Sequence, residues 1–370
     1  MKNAVFLTGA TGFLGMEVLA RLVERGDRDV VALVRAADSA AATERLHGVM
    51  AKLWRDPSPY FERVQAVAGD VTSPGLGMDR EERAHIAEEV TAVMHCAASI
   101  SFDLPLEEAR QINVEGTREI IGFARQAKNC GRLDRFIHVS TAYVAGITKG
   151  LFRERQLDAG QEFRNTYEQT KWEAEHVVNE ASDLDPVIAR PSIVMGESES
   201  GWTPAFNVLY WPIRAFSRGL FESVPARPEA LVDVVPVDYV ADALVHLLDD
   251  TSASGVVNLV SGREACSVDD LVGMTSAAFG RERPPVVAPG STGTGSAHAD
   301  DQAQVYFPYF DMDMVFDDAR ARALLGPAGI KCPHLTDYFP RLIEYAQQTR
   351  WGKTPQTREE AASDAVHHAA

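Results

Sequence analysis

Basic residues are scarce in this sequence. Its 370 residues include 36 Lys and Arg against 53 Asp and Glu, and the formal net charge at pH 7 is −17. A surface this acidic repels the phosphates of nucleic acids and the headgroups of anionic lipids. We therefore expect no nucleic-acid partner, and an anionic ligand has to bind at a local basic patch.

Cysteine is also scarce. Cys96, Cys130, Cys266 and Cys332 lie far apart, without Cys-x-x-Cys spacing and without a His/Cys cluster at metal-ligand spacing. Nothing in this pattern indicates a disulfide framework or a metal site. We expect reduced thiols, no bound metal and a cytoplasmic protein.

Long apolar runs are missing as well. No stretch approaches the roughly 20 consecutive apolar residues that a membrane-spanning helix needs, and no basic segment precedes a short apolar run as in a secretory signal. The composition, 45% hydrophobic and 24% charged, suits a large buried core. We expect a globular protein with no membrane span.

A glycine-rich turn near the N-terminus is the feature around which the chain is organised. The apolar run 4–7 gives way to glycines at positions 9, 12 and 15, and a helical pattern of apolar residues begins at Met16. Glycine lets backbone N–H groups approach a pyrophosphate, and the following helix directs its positive end at that charge. The spacing is one residue longer than the usual dinucleotide-binding fingerprint, and a plain turn is the alternative. The expected contacts are Thr8, Gly9, Thr11, Gly12, Phe13, Leu14 and Gly15.

Arg35 ends the second predicted strand, 29–34, and lies 20 residues after Gly15. A carboxylate at this position would bind the ribose 2′-hydroxyl of NAD, whereas a guanidinium suits the 2′-phosphate of NADP. The alternative is an ordinary surface arginine. We predict that the chain uses NADPH.

Two further strand ends carry candidate ligand residues. Asp70 and Val71 follow the third predicted strand, 64–68, where the carboxylate either accepts a hydrogen bond from an adenine amino group or forms an Asx turn. Ala97 and Ala98 follow the fourth, 90–95, and their small side chains leave room for a ligand where open parallel sheets bind one. We expect His95, at the end of that strand, to be packed or solvated and not catalytic.

Strand and helix patterns alternate up to about residue 200, which indicates a parallel sheet covered on both faces. Beyond Gly201 the segment 202–221 is crowded with aromatic residues, and 256–260 reads as a strand returning to the sheet. We predict an α/β fold: a Rossmann doubly wound parallel sheet, residues 1–200 and 232–262, with a smaller, mostly C-terminal substrate-binding lobe, residues 201–231 and 263–353.

Two segments have the composition of flexible chain. Residues 289–304 are rich in Gly, Ser and Thr, and we expect a loop that closes over the substrate opening. Residues 354–370 are polar and alanine-rich, and we expect a disordered tail.

Tyr167 and Lys171 are four residues apart on one predicted helix, so their side chains share a face. A phenol has an ordinary pKa near 10, and a nearby ammonium is expected to lower it. Thr141, after the predicted strand 135–139, can donate its hydroxyl to a carbonyl oxygen. The three side chains together would hold and protonate that oxygen during hydride transfer.

The glycine turn, Asp70, Asn113, Thr141, Tyr167 and Lys171, in this order, resemble the extended short-chain dehydrogenase/reductase superfamily. Five segments resemble its thioester reductase and fatty acyl-CoA reductase branch, which includes the terminal reductase domains of carboxylic acid reductases and nonribosomal peptide synthetases. These segments are 33–35, 69–77, 95–98, 138–144 and 235–240.

The resemblance implies an NADPH-dependent reductase that converts an acyl thioester to an aldehyde, or further to the alcohol, with Thr141, Tyr167 and Lys171 as a triad. It also implies that Lys171 binds the nicotinamide ribose, that Pro191 and Ser192 lie near the carboxamide, and that Asn113 fixes the active-site helix or a water relay. The 370 residues contain no carrier-protein sequence. We therefore expect the acyl group to arrive on a separate acyl or peptidyl carrier protein or as a CoA ester.

Arg214 and Arg218 are four residues apart within the aromatic segment. If that segment is helical they share a face, and they would meet a carrier protein or a CoA phosphate. A solvated helix face is the alternative.

Two other functions compete with this prediction. One is an extended short-chain dehydrogenase/reductase acting on a free aldehyde, ketone, sterol or nucleotide sugar. The other is a cofactor-sensing binding protein, which would not need Thr141, Tyr167 and Lys171.

Overall fold

Seven parallel strands form the central sheet in the computed structural model, which describes residues 3–291 and 307–369. In chain order they are β1 (Ala4–Thr8), β2 (Asp29–Val34), β3 (Val64–Ala68), β4 (Val90–His95), β5 (Arg135–Val139), β6 (Val187–Pro191) and β7 (Gly255–Leu259). Their spatial order is β7-β6-β5-β4-β1-β2-β3, the order of a doubly wound Rossmann sheet with one further strand. The predicted fold class is confirmed.

Some helices cover the two faces of this sheet, and others lie beside it. They are α1 (Phe13–Arg25), α2 (Ser39–Leu53), α3 (Arg80–Glu89), α4 (Leu106–Arg110), α5 (Gly116–Asn129), α6 (Thr166–Glu180), α7 (Tyr210–Ser217), α8 (Val237–Asp249), α9 (Val268–Phe279), α10 (Ala319–Leu325), α11 (Leu335–Gln348) and α12 (Arg358–Ala369). Apolar residues of α1, α2 and α8 pack on one face, and those of α3, α5 and α6 pack on the other. Because both faces are covered, strands such as β1 are continuous apolar runs without alternation.

A second core lies beside the sheet and is built from α7, α9, α11 and short strand pairs. Three pairs are parallel and one, 231–232 with 266–267, is antiparallel. The parallel pairs are Lys149–Phe152 with Asp313–Phe316, Ile193–Met195 with Val234–Pro236, and Val224–Pro225 with Val286–Val287. The aromatic segment 202–221 contributes Leu209, Tyr210 and Ile213 to this core.

The prediction of a disordered tail over 354–370 is wrong for residues 358–369, which form α12. Arg358 lies 3.3 Å from the Glu17 carboxylate of α1 and 2.8 Å from that of Glu24. Ala361 is only 3% exposed. Composition alone misses this helix, because an ion-pair cluster and not an apolar stripe attaches it to the Rossmann domain.

Most of the predicted flexible loop, residues 292–304, lies outside the described residues. Within the ranges 3–291 and 307–369, no helix combines the length and apolar character required to cross a bilayer. In the same ranges, no three His, Cys, Asp or Glu side chains are grouped as metal ligands would be.

Candidate active site

The glycine turn between β1 and α1 brings its backbone close to the segment after β4. Gly9 has φ +76°, and a Cβ there would lie 2.8 Å from the backbone nitrogen of Ala97. A Cβ on Gly15 would lie 2.0 Å from the Gly9 carbonyl oxygen. No side chain caps the N-terminus of α1, and its first turn carries no carboxylate. The turn is therefore a glycine cradle at an uncapped helix N-terminus, which is the geometry of a phosphate site.

Thr8 belongs to a buried hydrogen-bond chain behind this cradle. Register places Thr8 beside His95, and the Thr8 hydroxyl lies 2.8 Å from His95 Nδ1 and accepts from the Ala97 N–H at 3.1 Å. His95 Nε2 lies 3.2 Å from the hydroxyl of Thr117, which donates to the Asn113 carbonyl. Burial lowers the pKa of His95 to about 3, so the ring stays neutral. Of the two alternatives left open by the sequence, His95 is packed and not solvated, and Thr8 links the ends of β1 and β4 beside the cradle.

Arg35 and Asp70 differ in whether their side chains already make hydrogen bonds to other residues. Arg35 is exposed, and its guanidinium makes no hydrogen bond or ion pair with the described residues. Asp70 Oδ1 accepts from the backbone N–H of Thr72 at 2.9 Å and from its hydroxyl at 2.8 Å. The Asx turn left open by the sequence is therefore present, with Val71 inside it packed near Gly116. Asp70 Oδ2 has no hydrogen bond within the described ranges and is left for a ligand.

Tyr167 and Lys171 lie one turn apart near the start of α6, whose N-cap is Asn165. Burial raises the pKa of Tyr167 to about 12, and a hydrogen bond with the Thr141 hydroxyl offsets part of that rise. The expectation that Lys171 would lower this pKa is wrong. Lys171 is 2% exposed and donates from Nζ to the Val139 carbonyl at 2.8 Å, and burial lowers its pKa to about 8.

Thr141 lies at the carboxyl end of β5 and next to β6. Its hydroxyl oxygen accepts from the Tyr143 N–H at 3.2 Å and lies 3.4 Å from the Pro191 carbonyl oxygen, to which it donates. Ser192, the residue after Pro191, is 6% exposed. The structure thus brings Thr141, Tyr167, Lys171 and Pro191 together at the carboxyl edge of the sheet, where open α/β sheets bind ligands.

Asn113 is buried in a π-helical turn, Gln111–Glu115, between α4 and α5. Its Oδ1 accepts from the Ser99 N–H at 2.8 Å, and its Nδ2 donates to the Ser99 carbonyl at 3.1 Å and to the Thr170 hydroxyl at 2.9 Å. The side-chain amide is thus committed to protein groups. These bonds join α6 to the strand end after β4, which is the contact that the predicted role in fixing the active-site helix requires.

Sequence reasoning missed Phe102 and Tyr309, which pack beside Tyr167. The Phe102 ring centroid lies 5.9 Å from that of Tyr167 and 5.6 Å from that of Tyr309. The Tyr309 hydroxyl accepts from Asn165 Nδ2 at 2.8 Å. Tyr309 lies in the short helix Phe307–Phe310, and no local pattern links it to a helix 142 residues upstream.

The two arginines of the aromatic segment have different surroundings. Arg214 lies in α7 with its guanidinium carbon 5.6 Å from the Trp351 ring centroid. Its Nε is buried and unbonded within the described ranges. Arg218 follows α7 and is exposed. The two do not form one exposed basic patch, so a docking role stays a prediction for Arg218 only.

A Rossmann sheet with a glycine cradle, and a Tyr-x-x-x-Lys pair with a buried lysine beside a threonine, define a protein of the short-chain dehydrogenase/reductase type. Residues 7–244, more than half of the chain, match the model of the NAD-binding family described as Male sterility protein. The chain belongs to this family.

Individual relatives point to the predicted branch. Fatty acyl-CoA reductase 1 of Homo sapiens is 34% identical over 277 residues, which cover 65% of this chain and 53% of that protein. Nonribosomal peptide synthetase asaC of Aspergillus flavus is 32% identical over 260 residues, 66% of this chain and 25% of that protein. The chain spans about half the length of the fatty acyl-CoA reductases that it matches.

A solved structure agrees over nearly the whole chain. The terminal R domain from the myxalamid PKS-NRPS biosynthetic pathway superimposes with a TM-score of 0.82 and 26% identity, covering 96% of this chain and 93% of that one. The resemblance to extended short-chain dehydrogenase/reductases and to their thioester reductase and fatty acyl-CoA reductase branch is confirmed.

Proposed function

We propose that this chain is an NADPH-dependent reductase of an acyl thioester, delivered as a CoA ester or on a carrier protein. The arrangement that carries the proposal is Thr141 beside Tyr167 at the carboxyl edge of the sheet, with buried Lys171 one helical turn from Tyr167. The names of the relatives, fatty acyl-CoA reductase and nonribosomal peptide synthetase, support the substrate class.

The residues present fit a dinucleotide with a 2′-phosphate. The Gly9 and Gly15 positions admit no Cβ, the α1 N-terminus is uncapped, and the Arg35 guanidinium has no partner among the described residues. Bound NADPH would supply the hydride. The residues that would hold it are Gly9, Thr11, Gly12, Phe13, Leu14, Gly15, Arg35, Asp70, Val71, Ala97, Ala98, Lys171, Pro191 and Ser192.

Tyr167 acts in this proposal as a proton donor. Because its pKa is raised to about 12, the phenol is protonated at neutral pH. Its hydroxyl, and that of Thr141 once it turns from the Pro191 carbonyl, hold the carbonyl oxygen of the thioester and stabilise the negative charge that develops there. Lys171 lies one turn further along α6, where its ammonium would bind the hydroxyls of the nicotinamide ribose.

The proton transfers of this reaction balance, with Tyr167 and the solvent as the proton sources. When the tetrahedral adduct collapses, its hydroxyl proton returns to Tyr167, the carbon–sulfur bond breaks, and the thiolate takes a proton from solvent. The overall change consumes a thioester, NADPH and a proton, and releases an aldehyde, a thiol and NADP⁺. A second hydride transfer, to the aldehyde carbon, would give the alcohol. The proton that Tyr167 donates then stays on the alcohol oxygen.

The test offers an acyl-CoA, a carrier-bound acyl thioester, a free aldehyde and a ketone in parallel and follows NADPH oxidation. We expect turnover with at least one thioester and its loss in Tyr167→Phe. Tyr60→Phe is the matched control, because Tyr60 packs on Trp54 far from this site. Turnover of the ketone alone, or full thioester activity in Tyr167→Phe, would reject the proposal.

A further inference from the structure

Tyr309 lies where segments from distant parts of the chain meet. It is 6% exposed and belongs to the short helix Phe307–Phe310 of the second core. Its hydroxyl accepts from Asn165 Nδ2 at 2.8 Å, and the Arg164 guanidinium carbon lies 5.5 Å from its ring centroid. Both of these residues directly precede α6, the helix that carries Tyr167. The second core thus contacts the start of the catalytic helix through the Tyr309 side chain.

The other contacts of Tyr309 reach the neighbours of both catalytic hydroxyls. The rings of Tyr309 and Tyr143 meet edge to face with centroids 5.1 Å apart, and the Tyr143 N–H donates to the Thr141 hydroxyl at 3.2 Å. Phe102 stacks on Tyr309 with centroids 5.6 Å apart and lies 5.9 Å from the Tyr167 ring centroid. Thr141 and Tyr167 are 26 residues apart and on different elements, so local backbone geometry does not set their separation. Tyr309 packs against the surroundings of both.

Asn165 links Tyr309 to the backbone of α6. Its Oδ1 accepts from the Glu168 N–H at 3.0 Å and so caps the helix. Its Nδ2, on the same planar amide, donates to Tyr309. The bond to Tyr309 therefore fixes the direction in which the capping oxygen points.

We propose that Tyr309 is a positioning residue, which holds the Thr141 and Tyr167 hydroxyls at the separation at which both bind one carbonyl oxygen. This inference rests on the proposed function, because it takes that oxygen to lie at these two hydroxyls. Tyr309 is not the proton donor, because burial raises its pKa well above the ordinary 10 and above the pKa of Tyr167. In such an arrangement a displacement of about 1 Å lowers the rate by about a hundredfold.

Two variants break the bond between Tyr309 and Asn165 from its two ends. Tyr309→Phe removes the hydroxyl and keeps the ring. Asn165→Ser keeps a capping oxygen but has no amide to donate to Tyr309. Each should lower the single-turnover rate of NADPH oxidation with decanoyl-CoA by about tenfold and leave both KM values within about twofold. Because both variants remove the same contact, the double variant should react within about twofold of either single variant.

Tyr338→Phe is the matched control. Tyr338 is also buried in the second core, and its hydroxyl donates to the Val234 carbonyl at 3.4 Å. The variant loses a buried phenol hydroxyl and leaves the Asn165 cap in place, so its single-turnover rate should stay within about twofold. Hydrogen exchange of the Glu168 N–H reports on the cap without turnover. It should be at least about tenfold faster in Tyr309→Phe and unchanged in Tyr338→Phe.

The outcomes separate the positioning role from the proposed function. Equal rates or equal exchange in Tyr309→Phe and Tyr338→Phe would overturn the positioning role. Effects of Tyr309→Phe and Asn165→Ser that multiply in the double variant, or a raised KM with an unchanged single-turnover rate, would also overturn it. If the unaltered chain reduces no thioester, the reductase proposal fails, and exchange at Glu168 alone decides whether Tyr309 fixes the start of α6. If Tyr309→Phe fails to fold, the rates of Asn165→Ser and Tyr338→Phe give the same comparison.

Discussion

The side-chain amide of Asn113 donates a hydrogen bond to the hydroxyl of Thr170 at 2.9 Å. Thr170 directly precedes Lys171 on α6, and the same amide holds both backbone groups of Ser99. Ser99 follows Ala97 and Ala98 after β4. Asn113 therefore couples the catalytic helix to the strand end that borders the glycine cradle.

Removing this amide should damage turnover and stability together. In Asn113→Ala, the Ser99 N–H and carbonyl and the Thr170 hydroxyl lose a partner, and each unsatisfied buried group costs about 1–3 kcal/mol. We expect a urea-unfolding free energy lower by about 3 kcal/mol and a kcat that falls more than the affinity for NADPH. Gln111→Ala is the control, because Gln111 is exposed in the same π-helical turn. Equal behaviour of the two variants would remove the positioning role.

The pH dependence of kcat/KM should reflect the loss of the Lys171 proton. Burial lowers its pKa from the ordinary 10.5 to about 8, so the ammonium is lost as pH rises through about 8. If this charge is needed, kcat/KM is level below pH 7 and falls above pH 8. The same shift makes the unfolded chain bind more protons between pH 8 and 10.5, so this group adds to folding stability as pH rises through that window. A kcat/KM level to pH 10, or an NMR titration of ε-¹³C-labelled Lys171 near 10.5, would contradict this.

Arg35 should decide between the two nicotinamide cofactors. Its exposed guanidinium has no partner within the described ranges and is available to a 2′-phosphate. Arg35→Ala should raise the KM for NADPH by at least about tenfold, in line with a lost charged hydrogen-bond pair, and leave the KM for NADH nearly unchanged. Arg132→Ala, at another exposed arginine, should alter neither. Equal losses with both cofactors would reject the assignment.

The fold was predictable where the sequence is periodic and local. The strands at 29–34, 64–68, 90–95 and 135–139 have the predicted bounds, because each is an apolar run enclosed by turn residues. The pairing of Lys149–Phe152 with Asp313–Phe316 was not predicted. Each of these strands is only four residues long, and its partner lies more than 150 residues away in the chain.

The candidate site was also predictable only in part, namely where its residues have a fixed spacing in the sequence. The glycine cradle and the Tyr-x-x-x-Lys pair have fixed spacings, so the sequence located them. The raised pKa of Tyr167 depends on burial by residues far away in sequence, among them the contact with Phe102. A spacing rule carries no information about desolvation, and that is why the predicted direction of this pKa was wrong.

The ion-pair cluster that holds α12 should contribute measurably to stability. Arg358 contacts Glu17, which is fully buried, and Glu24. Arg358→Ala removes this partner while Glu17 keeps its ion pair with Arg21, so the expected cost is about 1–3 kcal/mol. We expect that loss in urea unfolding, with part of it recovered in the Glu17→Gln, Arg358→Ala double variant. A change no larger than that of Arg132→Ala would show that α12 adds nothing to stability.

The most direct test of the reductase proposal follows thiol release and NADPH oxidation in one reaction, with decanoyl-CoA and with decanoyl-pantetheine. We expect one thiol for each NADPH oxidised if the product is the aldehyde, and one for every two if it is the alcohol. Both signals should disappear in Tyr167→Phe and persist in Tyr60→Phe. NADPH oxidation with a ketone or a nucleotide sugar, and no thiol from either thioester, would contradict the account.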